Sequence, residues 1–70
     1  MVKFAAINEG SVVQLGRFNK DMAKHSFKTG MVVEKLTAKI GKNVYTAIVV
    51  QTGERERIEV QLHNIREVLA

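Results

Sequence analysis

Residues 44–62 read VYTAIVVQTGERERIEVQL, and this stretch decides the fold. Val44 to Gln51 carries β-branched residues at five of eight positions, with apolar residues on both alternating faces. Branching at Cβ suits an extended, pleated backbone, and two apolar faces point to a central or barrel strand. Thr52-Gly53-Glu54 is a hairpin-turn signal. From Glu56 the chain alternates: Ile58, Val60 and Leu62 share one face, while Arg57, Glu59 and Gln61 share the other. The pattern therefore predicts two antiparallel strands, the second spanning 55–62.

Working outward, Gly41-Lys42-Asn43 is a tight-turn signal that joins this hairpin to MVVEKLTAK, residues 31–39. That segment opens apolar, turns polar, and reads as a further strand. Ser11 to Leu15, SVVQL, is another. Val2 to Ile7 reads as a first strand or arm, ended by Asn8-Glu9-Gly10. The final piece, HNIREVLA, fits either a 3₁₀ turn followed by a closing strand or a short terminal helix, because Ile65, Val68 and Leu69 also match helical spacing.

Seventy residues make one domain, residues 1–70, with no repeat or linker. A chain this short buries only about 60% of its unfolded surface, so oligomerisation, a metal or disulfides commonly assist. Cysteine is absent, which excludes disulfides, cysteine zinc sites and thiol nucleophiles. No apolar run approaches the length of a membrane span, and the N-terminal sequence does not resemble a secretion signal. The expectation is a soluble cytoplasmic protein with no membrane partner.

One stretch interrupts the strands. Residues 16–30, GRFNKDMAKHSFKTG, carry Arg17, Lys20, Lys24 and Lys28 against Asp21 alone, and so hold +3 of the net charge of +4. Asn19 is a plausible helix N-cap, with Asp21 where the helix dipole favours a carboxylate. Lys20, Lys24 and Lys28 would share one helical face. The alternative is an irregular loop. In either case Phe18 and Phe27 are expected to turn inward, because a small core needs large side chains.

Five short strands in so short a chain suit a strongly bent small barrel rather than a two-layer sandwich. GSVVQL, the long loop, TGMVVEK, VYTAIVV, the turn TGE, RIEVQL and HNIREV together resemble the SH3-like small barrels, the KOW and Tudor group among them. The resemblance implies a mostly β, five-stranded barrel whose long first loop, 16–30, borders a binding face. Gly30 looks like the glycine that opens the second strand of such barrels. The tail VQLHNIREVLA also resembles the ending of the type II dihydrofolate reductases, tetrameric barrels in which a Val-Gln-Ile-Tyr strand lines a shared pore. Val60 and Gln61 match, Leu62 nearly matches, and His63 stands where that family has Tyr.

Catalytic constellations are missing from the pattern. His25 and His63 sit near no carboxylate pair and read as surface or edge residues. Glu54, Glu56 and Glu59 interleave with Arg55 and Arg57 as charges paired across a strand. No cofactor, metal or small-molecule substrate is implied. The expectation is a non-catalytic binding module of bacterial or phage type, an accessory or regulatory protein that self-associates or docks on a protein partner. The alternative partner is a nucleic acid, contacted through Arg17, Lys20, Lys24, Lys28, Lys35, Lys42, Arg55 and Arg57. Phe18, Phe27 or Tyr45 would then stack on bases. Val44 to Val50, Met22 and Met31 are candidate apolar contacts for a protein partner.

Overall fold

The computed structural model describes residues 3–16 and 24–70. Five strands form one antiparallel sheet: β1 (Val12–Leu15), β2 (Thr29–Ile40), β3 (Asn43–Gln51), β4 (Arg57–Val60) and β5 (Ile65–Val68). Their order is β4-β3-β2-β1-β5. Among the described residues, helix is confined to 3₁₀ turns. The mostly β, five-stranded expectation holds. Of the two readings of the tail, the 3₁₀ turn followed by a closing strand is the one observed, with the turn at Leu62–Asn64.

The sheet has to bend. Its two edge strands, β4 and β5, are consecutive in the chain and joined only through Gln61 and the 3₁₀ turn. Such a link reaches about 13 Å, whereas the edges of a flat five-stranded sheet lie about 19 Å apart. Irregularities in the ladders supply curvature: the register shifts between Val32 and Glu34 in β2, and between Gln14 and Leu15 where β1 meets β5. All five strands consequently feed one core of Val13, Leu15, Val32, Ile48, Val50, Val60 and Ile65, with Ile7 added from the N-terminal segment. No ladder joins β4 to β5, so the sheet stops short of a closed barrel.

Several expectations need correction. Of the stretch read as a first strand or arm, the described part holds no strand: Phe4–Ala6 form a 3₁₀ turn that lays Ile7 into the core. The strand read over 55–62 is shorter, Arg57–Val60, because Thr52 to Glu56 form a loop and Leu62 has already entered the 3₁₀ turn. His25 is buried rather than superficial. Phe27 is exposed rather than inward, because its backbone takes a positive φ of 62° that swings the side chain outward. That break in the backbone also ends any helical run before Lys28, so Lys24 and Lys28 do not share a helical face. The proposed cap at Asn19 and the inward placement of Phe18 lie outside the described residues.

Candidate docking surface

β2 and β3 outrun their neighbours. They pair with each other from Met31↔Gln51 to Ile40↔Asn43. β1 pairs with β2 only along Thr29 to Met31, with backbone bonds from Gly10 and to Ser11 extending the contact to Val32. β4 pairs with β3 only along Ile48 to Gln51. Residues 34–47 are therefore a two-stranded ribbon projecting from the sheet. A ribbon of two strands is marginally stable in water by itself.

Both faces of the ribbon carry apolar groups. The register places Leu36 beside Ala47, Ala38 beside Tyr45, and Ile40 beside Asn43 on one face. Thr37 with Thr46 and Lys39 with Val44 occupy the other. Ile40, Val44 and Tyr45 are 66%, 60% and 54% exposed, and Leu36 is 37% exposed. A cleft of about 560 Å³ lies where β4 ends and the edge of β3 runs on, lined by Leu36, Tyr45, Ala47, Glu59, Val60 and Gln61 among others.

The ribbon's two edges differ. On the β2 edge, Lys35 and Lys39 put charge on the strand, and the N-terminal turn is fastened to it. The Lys35 Nζ donates to the Phe4 carbonyl oxygen at 3.0 Å and lies 4.2 Å from the centre of the Phe4 ring. Lysines and covering segments are the usual guards of a sheet edge. On the β3 edge, Asn43 to Ala47 carry no charge and no proline.

A second group of the sequence-predicted residues gathers at the opposite end of β2. Lys28 precedes Thr29 and pairs with Glu56 at 3.4 Å, both side chains being about half exposed. Glu56 also accepts a hydrogen bond from the Thr52 hydroxyl. That bond, and then the Lys28 charge, hold the Glu56 carboxyl below its ordinary pKa. Phe27 stands out from the surface with the Arg66 guanidinium 5.0 Å from its ring centre. Lys24 is exposed nearby in sequence.

The basic residues expected to act together are thus divided. Lys42 sits in the turn at the ribbon's tip, with Tyr45 beside it on β3, and Lys35 on β2 is committed to Phe4. Lys24, Phe27 and Lys28 lie at the other end of the twelve-residue β2. Arg55 is exposed in the β3–β4 loop, and Arg57 is exposed on β4 opposite Gln51. Arg17, Phe18, Lys20 and Met22 lie outside the described residues. Glu54, Glu56 and Glu59 do not pair with Arg55 or Arg57 across the strands; the one ion pair observed among the described residues joins Glu56 to Lys28. The Val60-Gln61-Leu62 stretch leaves the sheet after Val60.

Arg66 is the residue that sequence reasoning passed over. Its approach to Phe27 depends on β5 lying beside β1, which no local pattern reveals. Among the described residues no group of three or more His, Asp or Glu could hold a metal ion, and no helix is long and apolar enough to cross a membrane. Comparison with protein-family models, curated proteins and solved structures finds no match.

Proposed function

We propose that this chain is a small SH3-like, non-catalytic interaction module that engages a protein partner through the projecting β2–β3 ribbon. The strand order, the long first connection and the 3₁₀ turn before β5 support the SH3-like reading. The observation that carries the function is the ribbon itself, which exposes Leu36, Ile40 and Tyr45 on one face and Val44 on the other, along segments that neither β1 nor β4 covers. Contiguous exposed apolar surface on a small domain marks a contact site. An unpaired strand edge adds main-chain hydrogen bonds to such a contact. A photoreactive amino acid at Tyr45 should cross-link to polypeptide in cells, while the same group at exposed Glu9 should not. Equal labelling at the two positions, or none at Tyr45, sinks the reading.

A second reading rests on Phe27, an exposed aromatic beside Arg66, with the exposed Lys24 three residues before it in the chain. That combination suits a base stacked on a ring beside phosphate-binding cations. It requires oligonucleotide binding at low salt that Phe27→Ala weakens and that falls with a log–log salt slope of about −2. Absence of any shift with single- or double-stranded oligonucleotides rejects it.

A further inference from the structure

We propose that the occupant of the ribbon's free edge is a second copy of this chain, paired antiparallel along residues 43–47 with the twofold axis at Tyr45. This rests on the reading of the ribbon as a docking surface and names its partner.

Three observations select this arrangement. The first is length. β3 begins at Asn43, directly after the Gly41-Lys42 turn, and its outer edge is taken up by β4 from Ile48 onward. Five residues, Asn43 to Ala47, are left open, with Tyr45 at their centre. Two such segments run antiparallel use every open position on both chains: Tyr45 opposite Tyr45, Val44 opposite Thr46, Asn43 opposite Ala47. An additional residue in either direction would meet β4 of the other copy. Pairing therefore closes at two chains, as an isologous contact must, and does not propagate into a fibre.

The second observation is charge. The five open residues are neutral, so no like charges face each other across the new ladder. The same operation on the β2 edge, centred on Thr37, would set Lys35 opposite Lys39 of the other copy, and directly opposed like charges are destabilising. It would also have to displace the N-terminal turn from Lys35. At the β3 edge, by contrast, the turn bearing Lys42 meets the end of β4 in the second copy, where Glu59 and Gln61 line the cleft. A cation thus arrives beside a carboxylate.

The third is the apolar face of the ribbon, on which Tyr45 and Leu36 are exposed. Opposed residues share a face, so the apolar row Ala38–Tyr45 continues into Tyr45–Ala38 of the second copy. The two five-stranded sheets join across the β3–β3 ladder, with each β4 continuing along the same edge beyond it.

Position 45 tests the arrangement because the twofold sets it against itself. Wild-type protein should sediment as a dimer. Tyr45→Lys and Tyr45→Glu should each raise the dissociation constant about tenfold or more, by opposing like charges and removing the paired rings. An equimolar mixture of the two variants should regain the dimer as a heterodimer, which only a self-facing position permits. Circular dichroism confirms that the variants fold; should either unfold, amide exchange on wild type replaces them, with residues 43–47 protected at high concentration and open at low. A wild-type chain monomeric up to about 1 mM, dimers indifferent to both variants, variants that do not rescue each other, or concentration-independent exchange each overturns the proposal. A monomeric wild type whose Tyr45 still cross-links to a different polypeptide rejects the second copy and leaves the docking surface standing.

Discussion

Lys35 lies over the ring of Phe4 and donates to the same residue's carbonyl oxygen, so one cation grips the N-terminal turn by side chain and backbone together. The contact is partly buried, and it ties the N-terminal turn to β2. Its loss has two consequences, one for stability and one for order at the N-terminus.

Lys35→Met keeps most of the aliphatic stem and removes the charge. A cation–π contact contributes about 0.5–1 kcal/mol at an exposed site, and a charged hydrogen bond somewhat more. The variant should lose about 1–2 kcal/mol by urea denaturation. It should also be cleaved faster by proteases before Ile7, as the turn detaches from β2. Unchanged stability would show that Ile7, fully buried, anchors the segment unaided.

Gly30 is required by a close approach. A Cβ there would stand 2.5 Å from Val50 Cγ1 and 2.7 Å from the Gln51 carbonyl oxygen. The valine can rotate only within a packed core, and the carbonyl belongs to the β3 backbone. Gly30→Ala should therefore destabilise by about 1–3 kcal/mol, the usual cost of overpacking. Gly53→Ala is the control, since its nearest neighbour is Glu56 Cβ at 3.7 Å. Equal thermal midpoints for the two variants would contradict this geometry.

These residues show where sequence reasoning reached and where it stopped. The strands around VVQL and VYTAIVVQ were legible because β-branched runs and glycine turns are local signals. The ends of β4 were not, because the alternation over 55–62 runs unbroken through the loop before Arg57 and into the 3₁₀ turn that begins at Leu62. Apolar residues on both faces of 44–51 suggested a covered strand throughout. Ile48 and Val50 are covered, but Val44 and Tyr45 are exposed, since a periodicity does not reveal how far the neighbouring strands extend. Phe27 was read as core on size alone, and the positive φ that turns it outward has no signature in its side chain.

The Glu56 carboxyl should titrate below the ordinary glutamate range. Its folded pKa is depressed from the ordinary glutamate value of 4.5, first by the Thr52 hydroxyl and then by Lys28. A depressed carboxyl contributes stability above its unfolded pKa and loses it as pH falls through the folded value. Any contribution is therefore present at neutral pH and disappears below about pH 4.5. Carbon-detected titration should show Thr52→Val and Lys28→Ala each moving the Glu56 midpoint upward. A midpoint indifferent to Thr52→Val would remove the hydroxyl as a cause.

Ile65 decides whether β5 belongs to the core or merely lies on it. The 3₁₀ turn before it is closed by Gln61 and Asn64, whose Oδ1 accepts the Gln61 N–H at 3.0 Å, and this aims the next residue inward. Ile65 pairs with Leu15 and is 4% exposed, within the same cluster as Val13 and Val60. Ile65→Asp would bury a carboxylate with no partner, a penalty of several kcal/mol against a total stability of about 5 kcal/mol for a domain this small. It should unfold the chain. Leu69→Asp, at a half-exposed position just past the strand, should leave it folded. Circular dichroism separates the outcomes. A folded Ile65→Asp variant with wild-type melting would mean that β5 only covers the β1 edge, and that the core is complete with four strands.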